Sequence, residues 1–397
     1  MSQKALAGLK VVELGQLIAG PFAGKVFAEF GADVVKVEPP KGGDPLRSWR
    51  KLHDGTSLWW YVQNRNKKSV TADLRTPEGQ EIARRLARHA DVVIENFRPG
   101  TIEKWGLGYE VLSSDNPGLV MLRLSGFGQT GPYRDLAGFG AVGESMGGMR
   151  YVTGFPDRPP VRMNLSIGDA LASLHGVMGV LMALRHRDVN GGRGQVVDVA
   201  LYEAVFNMME SALPEFDMFG IVRERTGTNL TGIVPSNTYL TKDGLHVVIG
   251  ANADSIFKRL MAAIGRDDLA ADPSLADNAG RARRAEELDG VIGAWTARHE
   301  ADDVVRILNE AQVPNGKIYS IADIARDPQY LAREMIREIT LPDGKPVKVP
   351  GIVPKLSDTP GDLAWPGPTL GEHTDAVLRE LGYREEEITA LRGRGIV

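Results

Sequence analysis

The sequence LKVVELGQLIAGPFAGKVFAEFGADVVKV, residues 9–37, indicates the fold of the chain. A short β-rich run at residues 9–14 leads into a glycine-containing loop, and residues 22–30 have the apolar spacing of a helix. Gly31 occupies the position where a glycine ends a helix, and residues 33–37 form a second β-rich run. Strand, loop, helix and strand within about 30 residues are typical of a βαβ unit, so we expect a parallel sheet.

The alternation of strands and helices continues beyond this unit. Residues 69–74 are strand-like, and Thr76 with Pro77 forms a helix start from which we expect a helix to about His89. Further strands are expected at residues 91–94, 119–124 and 196–201. Alternating β and α segments predict a doubly wound α/β domain.

A change of composition after the last of these strands indicates a second domain, in which a polar loop precedes β segments and helical stretches. We predict a large α/β domain at residues 1–215, completed by residues 336–397, and a small α+β domain at residues 225–330. The predicted linkers are residues 216–224 and 331–335. The proline- and glycine-rich tail is expected to pack over the large domain.

Composition excludes several classes of function. The chain has 397 residues, with 47 Lys plus Arg against 51 Asp plus Glu, and no cysteine. The formal net charge of −4 gives no general attraction to nucleic acid, and the lack of cysteine excludes disulfides and thiol nucleophiles. The seven histidines are not spaced as a metal pair on one helix face, so no metal is expected.

The sequence also predicts where the protein resides. Residues 1–8 lack the apolar core of a signal peptide. The longest apolar run, near residues 177–184, is too short to span a bilayer. We therefore expect a soluble, cytoplasmic protein that has no membrane partner.

Two motifs and one charged cluster suggest other chemistry, and their context argues against it. Residues 126–131 spell GxGxxG, but no amphipathic helix begins inside the motif, as a dinucleotide site would require. Residues 143–147 spell GxSxG after a weak strand, so we expect Ser145 in a helix rather than at a hydrolase elbow. The basic cluster at residues 65–68 is interpreted as a solvated turn, with contact to ligand phosphates as the alternative.

Asp169 is the strongest candidate for a chemical role. It lies in the stretch NLSIGDA, residues 164–170, directly before an apolar pattern with helical spacing, so we expect it at or near a helix N-terminus. From the residues alone, two interpretations stay open. Asp169 is either an N-cap or a carboxylate nucleophile that attacks an activated acyl group, where Gly168 lets a ligand approach closely.

Several blocks of sequence occur together in a characteristic order. They are GADVVKVE at 31–38, DLRTPEG at 73–79, ENFRPG at 95–100, the Gly168-Asp169 pair, GRGQ at 192–195 and LGEHT at 370–374. In order and spacing these blocks resemble the family III CoA-transferases, and the likeness extends from residue 9 to the last residue.

The resemblance implies that Asp169 forms an anhydride with the acyl group of a donor and then an aspartyl-CoA thioester. The implied CoA contacts are Ala72, Asp73, Leu74, Arg75, Asn96, Phe97, Arg98 and Lys104. For Arg75 and Lys104 the alternative is an ordinary solvated charge. The resemblance also implies a homodimer of interlocked subunits, each with a Rossmann-like large domain and a smaller α+β domain. The CoA thioester is then a substrate, and no separate cofactor is implied.

Departures from the family pattern narrow the expected substrates. Phe139 stands where related 2-methylacyl-CoA racemases have a histidine, and phenylalanine cannot move a proton. Phe139-Gly140 also replaces the Tyr-Glu pair of formyl-CoA:oxalate transferases. Residues 225–239 and the chain length instead resemble the branch that transfers CoA from succinyl-CoA to a dicarboxylate such as glutarate or a substituted succinate.

A second carboxylate on the acceptor needs a cation in the pocket. The candidates are Arg47, Arg150, Arg162 and Arg225. The other functions left open are formyl-CoA:oxalate transfer, racemisation of 2-methylacyl-CoA, and CoA binding without transfer activity.

Overall fold

The computed structural model describes residues 4–397, so the prediction that residues 1–8 carry no signal peptide falls partly outside the described residues. The strands are β1 Lys10–Glu13, β2 Asp33–Glu38, β3 Leu52–His53, β4 Thr56–Ser57, β5 Lys67–Thr71, β6 Val92–Glu95, β7 Val120–Ser125, β8 Val196–Ala200, β9 Ser236–Leu240, β10 His246–Gly250, β11 Asn315–Lys317, β12 Ile336–Thr340 and β13 Pro346–Pro350. The helices are α1 Ala19–Glu29, α2 Leu58–Gln63, α3 Pro77–Arg88, α4 Thr101–Lys104, α5 Tyr109–Asp115, α6 Gly140–Met146, α7 Ile167–Asn190, α8 Leu201–Phe206, α9 Ala212–Phe219, α10 Asp254–Ala263, α11 Asp267–Ala270, α12 Asn278–Arg283, α13 Ala285–Thr296, α14 Ala301–Glu310, α15 Ile321–Ile324, α16 Pro328–Ala332, α17 Thr374–Glu380 and α18 Glu385–Gly393.

Six strands form one parallel sheet in the order β5-β2-β1-β6-β7-β8. The prediction of an α/β chain with a parallel sheet is confirmed. In the centre of the sheet, Val11 of β1 lies opposite Val34 of β2 and Val92 of β6. Every residue of β7 is buried, as expected for a parallel strand that helices cover on both faces.

Two apolar cores lie on the two faces of this sheet. One contains side chains from α1, α7 and α8, including Phe27 and Val180. The other contains side chains from α3 and from the C-terminal helices α17 and α18. The residues of α17 and α18 in this core are Val377, Leu378, Ile388 and Leu391. The tail therefore completes the second face of the sheet.

The chain divides into two compact units, and the sheet just described belongs to the first. The first unit comprises the chain up to Met149, Met163–Glu210 and Ala332–Val397. The second comprises Arg150–Arg162 and Ser211–Leu331, so the segment Arg150–Arg162, assigned above to the large domain, belongs to the second unit. Its backbone explains this, because Gly227 N–H donates to the carbonyl oxygen of Gly154 at 2.9 Å.

The second unit contains an antiparallel sheet of three strands in the order β11-β10-β9. Alternate residues of β10, Val247 and Ile249, are buried against helices that include α10, α13 and α14. This alternation is typical of an antiparallel sheet with one covered face.

Helix α7 is the one helix in residues 4–397 that is long and apolar enough, by length and composition, to cross a membrane. It packs against α1, β7 and β8, and Ala172, Val180 and Ala183 are buried. Such packing is typical of the core helix of an α/β sheet. The expectation of no membrane partner stays a prediction.

The prediction that residues 65–68 form a solvated turn is wrong. The Arg65 Nε donates to Glu29 at 2.6 Å, and the Lys67 ammonium lies 2.7 Å from a Glu13 carboxylate oxygen. Both cations are buried, and burial lowers the pKa of Lys67 to about 8, although Glu13 acts in the opposite direction. The basic pattern of residues 65–68 could not reveal this burial, because the partner carboxylates of Glu29 and Glu13 lie far away in the sequence.

The two rejected motifs lie where the sequence predicted. After β7 the GxGxxG motif continues into turns, and the next helix, α6, begins only at Gly140. Ser145 lies inside α6, and its hydroxyl donates to the carbonyl oxygen of Ala141 at 2.9 Å. Neither segment has the strand–turn–helix geometry of a dinucleotide site or a hydrolase elbow.

Candidate active site

A cavity of about 420 Å³ lies at the carboxyl ends of β1, β2, β5 and β6. Open parallel sheets bind ligands at this edge, where the order of the strands reverses, and here the reversal falls between β1 and β6. The lining residues follow the four strands in turn: Leu14 and Gln16; Val37, Glu38, Pro39 and Lys41; Ala72, Asp73, Leu74 and Arg75; Phe97 and Trp105. The cavity is therefore the expected ligand position of the first unit.

The structure brings five of the predicted CoA contacts together and leaves three outside the cavity wall. The five that line the cavity are Ala72, Asp73, Leu74, Arg75 and Phe97. Asn96 instead holds the loop after β1, because its side-chain amide donates to Gln16 O and accepts from Gln16 N, each at 2.8 Å. Arg98 and Lys104 are exposed and do not line the cavity.

Seven lining residues were not among the predicted contacts, namely Leu14, Gln16, Val37, Glu38, Pro39, Lys41 and Trp105. The Trp105 ring meets Phe97 edge-on, with ring centroids 5.1 Å apart and planes at 78°. The only available signal was that Gln16 and Lys41 follow the ends of predicted strands. Together these residues give the cavity an apolar wall and an additional cation.

Arg75 is a cation at this cavity whose charge is already paired. Its guanidinium donates two hydrogen bonds of 2.8 Å to the two carboxylate oxygens of Asp73, and these bonds lower the pKa of Asp73. The Asp73 backbone is fixed in turn, because its N–H donates to the carbonyl oxygen of Ile396 at 2.8 Å. The Arg75 side chain remains 76% exposed, so an anionic ligand would compete with Asp73 for it.

A buried ion cluster fixes the loop that follows β1. The Lys36 ammonium lies 2.8 Å from both Glu13 and Asp44 and donates to Gly15 O at 2.8 Å. The Asp44 carboxylate also accepts from the N–H of Leu17, which has a positive φ of 63°. Burial raises the pKa of Asp44, but Lys36 and the backbone donors outweigh it and hold the pKa below its usual value.

Asp169 is the third residue of α7, which begins after the N-cap Ser166. Its predicted place at a helix N-terminus is confirmed, and the N-cap interpretation is wrong. The half-buried carboxylate lies against the backbone of Gly140, where α6 begins. A methyl group on Gly140 Cα would lie only 2.1 Å from Asp169 Oδ2. The helix N-terminus favours the ionised form of this carboxyl group.

A second carboxylate, that of Glu144 on α6, lies against the first turn of α7. It is one turn along α6 from Gly140 and is 1% exposed, with Oε1 3.5 Å from the backbone N of Gly168. A methyl group on Gly168 would lie 3.0 Å from Gly140 O and 3.2 Å from Glu144 Cγ. Gly168, interpreted above as space for a ligand, therefore allows close packing of α6 on α7.

Ser173 connects the helix of Asp169 to the side of the cavity. Its Oγ lies 2.6 Å from the carbonyl oxygen of Asp169 and 2.7 Å from that of Ala19, the first residue of α1. Residues Gln16 and Leu17, which precede α1, belong to the loop beside the cavity. Ser173 thus links the backbone of Asp169 to the start of α1, the helix that follows the loop beside the cavity.

Glu95 lies beneath Phe97 and orients it. One carboxylate oxygen of Glu95 accepts from Phe97 N–H at 2.8 Å, and the other accepts from Arg123 Nε at 2.7 Å. Burial raises the pKa of Glu95 to about 7, against the lowering effect of Arg123. This carboxyl group positions the aromatic wall of the cavity and has no access to solvent.

The four arginine candidates for a second carboxylate have different surroundings. Arg47 is committed to Glu38, with bonds of 2.7 and 2.9 Å, and its guanidinium stacks on Trp60 at 3.6 Å. Arg150, Arg162 and Arg225 lie in the second unit. Arg225 donates there to the carbonyl oxygen of Tyr151 at 2.9 Å. Arg47 is therefore a structural residue in this conformation.

Within residues 4–397, no group of three His, Asp or Glu side chains is placed to hold a metal ion. The first unit offers a carboxylate at a helix start, that of Asp169, and a cavity with cationic and aromatic walls. That combination suits nucleophilic attack on an acyl group carried by a large anionic ligand.

A protein-family model described as CoA-transferase family III matches residues 6–374. A succinyl-CoA–D-citramalate CoA-transferase of Chloroflexus aurantiacus is 50% identical over 396 residues, which cover 99% of this chain and 98% of that protein. The alpha subunit of a succinyl-CoA–L-malate CoA-transferase from the same species is 42% identical over 400 residues, covering 100% of this chain and 93% of that protein.

The structure is also similar to solved structures of related proteins. The crystal structure of a CaiB/BaiF family protein from Brucella suis superposes with a TM-score of 0.84 at 36% sequence identity. The superposition covers 96% of this chain and all of that one. The likeness therefore extends over both compact units.

Proposed function

The chain belongs to CoA-transferase family III, and from that premise we propose that it transfers coenzyme A from succinyl-CoA to a dicarboxylate of the substituted-succinate or glutarate class. The observation that carries the proposal is the presence, in one unit, of both the cavity at the strand ends and the Asp169 carboxylate at the start of α7. Support for the substrates comes from the relatives, since malate and citramalate are both substituted succinates.

We propose that transfer proceeds through Asp169. Its carboxylate attacks the thioester carbonyl of succinyl-CoA, the C–S bond breaks, and CoA leaves as the thiolate. The thiolate then attacks the Asp169 carbonyl carbon of the mixed anhydride, which releases succinate and leaves an aspartyl-CoA thioester. The acceptor carboxylate repeats both steps in reverse and regenerates Asp169. One thioester is broken and one is formed, so no cofactor enters the balance.

The substrate class is tested by supplying succinyl-CoA with single acceptors and detecting each new acyl-CoA by mass spectrometry. Citramalate, malate or glutarate is expected to give product, and oxalate is not. Turnover with oxalate, but with none of these dicarboxylates, would overturn the substrate assignment in favour of the formyl-CoA:oxalate type.

The covalent route is tested by mixing the protein with succinyl-CoA, trapping with borohydride or hydroxylamine, and analysing peptides by mass spectrometry. Modification confined to the peptide that contains Asp169, and absent from Asp169→Ala, is expected. CoA binding without an adduct would contradict the route and favour a CoA-binding protein that lacks transfer activity.

We further propose that the phosphates of CoA lie at Arg75, with the rest of the nucleotide against Phe97 and Trp105. Arg75→Ala is then expected to raise the KM for succinyl-CoA roughly tenfold, because one charge-assisted contact is lost, while kcat changes little. Arg88→Ala is the matched control, since Arg88 lies at the far end of α3 and pairs with Asp115. Equal KM values for the two variants would place the phosphates elsewhere.

The oligomer that we propose is a homodimer of interlocked subunits. Apolar side chains on α7 are exposed at helical spacing, namely Leu174, Met178, Leu181 and Met182. None of the residues of α9 is buried, although Leu213, Phe216 and Phe219 lie on it. Exposed apolar surface of this extent is typical of an interface, and a second copy of the chain is the proposed occupant.

Met182→Glu is expected to weaken this assembly, because it places a charge on the exposed apolar face of α7. Sedimentation equilibrium of the wild type should give twice the chain mass of 43.1 kDa, and the variant should show monomer or aggregate. Val111→Glu on α5, also an exposed apolar position, is the control. A wild-type monomer would contradict the homodimer; since one relative is named as an alpha subunit, a second type of chain would then be sought.

A further inference from the structure

Helix α6 contains Gly140 and Gly143 and is followed directly by Gly147, and the surroundings of these three glycines differ. A methyl group on Gly143 would lie 2.8 Å from Leu201 Cβ, and one on Gly147 would lie 2.6 Å from Val205 Cβ. Both of these glycines therefore allow close packing of α6 on α8. A methyl group on Gly140 would instead meet a functional group, at 2.1 Å from Oδ2 and 2.9 Å from Cγ of Asp169.

The backbone does not explain the glycine at position 140. Its φ lies outside the left-handed region, so an ordinary L-residue is compatible with the local conformation. Space is the remaining requirement, and the Asp169 carboxylate occupies the space that a side chain would need.

Helix α6 has little freedom to move away from this contact. Gly143 and Gly147 place it in close contact with α8, and the buried Glu144 packs on Gly168 at the start of α7. Close-packed elements of this kind resist shifts of more than a few tenths of an ångström. An added methyl group would therefore displace the carboxylate rather than the helix.

We propose that Gly140 is a positioning residue, whose missing side chain reserves the place of the Asp169 carboxylate; this role in turnover depends on the proposed function of Asp169 as the nucleophile. The carboxylate is held between the α6 backbone and the first turn of α7, so its orientation toward an acyl group is set before substrate binds. Displacement of a reacting group by about 1 Å can lower a rate by about 10²-fold.

The first test compares Gly140→Ala with Gly143→Ala. Gly140→Ala is expected to lower kcat and the rate of Asp169 adduct formation about 100-fold, while the KM for succinyl-CoA stays within about twofold. Gly143→Ala is expected to lower the melting temperature with kcat largely retained. Equal effects of the two variants on kcat would show that the loss is structural and would overturn the proposal.

The second test needs no activity. In a double-mutant cycle, Gly140→Ala should lower the melting temperature of the wild type by a few degrees, but should cost much less when Asp169 is already alanine. The same shift in both backgrounds would show that the added methyl group does not meet Asp169, and would overturn the inference. This cycle remains informative if Gly140→Ala is too unstable for kinetic assays. A larger loss of melting temperature in the wild-type background than in the Asp169→Ala background would still support the contact.

The two tests also separate this inference from the proposed function. If the wild type forms no adduct on Asp169 but the double-mutant cycle shows strong coupling, the nucleophilic role of Asp169 is contradicted. The contact between Gly140 and Asp169 is then still supported. If the wild type and Gly140→Ala form the adduct at the same rate, the nucleophilic role of Asp169 is supported. The positioning role of Gly140 is then overturned.

Discussion

Asp169→Asn is expected to lower the kcat of CoA transfer by at least about 10³-fold. The amide has nearly the same shape as the carboxylate but lacks the nucleophilic oxygen, so no anhydride forms. Because the substitution keeps the packing against Gly140, the melting temperature should change little. Steady-state assays with succinyl-CoA and the best acceptor measure the loss, and coenzyme binding, measured separately by calorimetry, should persist.

The matched control is Asp188→Asn, which removes a carboxylate from the exposed last turns of the same helix. It is expected to keep wild-type kcat. If Asp169→Asn retained more than a tenth of the wild-type rate, a covalent role for Asp169 would be untenable, and direct transfer between bound substrates would have to be considered.

Lys36→Met is expected to lower the free energy of unfolding by about 3–5 kcal/mol, the usual cost of removing one partner from a buried ion cluster. Lys36 is only 1% exposed, and its loss leaves the carboxylates of Glu13 and Asp44 buried without their shared cation. Methionine keeps the apolar stem, so the effect reports the charge. Denaturant unfolding followed by circular dichroism measures the change.

Lys68→Met provides the comparison, because Lys68 is on the neighbouring strand and pairs with Asp33 at an exposed position. A loss below about 1 kcal/mol is expected there. Losses of the same size in the two variants would show that the cluster around Lys36 does not depend on its charge.

A loss of coenzyme affinity in folded Lys36→Met is also expected, since Lys36 holds Gly15 in the loop beside the cavity.

Local patterns in the sequence predicted the sheet and the place of Asp169 well. The apolar spacing after residue 170 located the start of α7, and the Thr76-Pro77 pair located the start of α3, where Thr76 accepts from Gly79 N–H at 3.1 Å. Helix α1 begins three residues before its predicted start at Phe22, because Pro21 is tolerated in a first turn where its missing N–H needs no partner.

Contacts between distant residues account for what was not predicted. Burial of Lys67 depends on Glu13, and the fit of Gly140 to Asp169 depends on two helices that a whole segment of the second unit separates in sequence. No local pattern carries this information. Arg98 and Lys104 illustrate the converse, because a resemblance assigned them a role while the present geometry leaves both in solvent.

The late return of α17 and α18 to the sheet affects how the protein is made. Met121 of β7 and Val377 of α17 belong to the same apolar core, yet a ribosome synthesises them roughly 250 residues apart, or about 12–50 seconds at ordinary elongation rates. During that interval α3 covers this face of the nascent sheet without α17 and α18, so part of the apolar core stays open to solvent. Chaperone supply and slow, cool expression should therefore control the yield of this protein more than its final stability does.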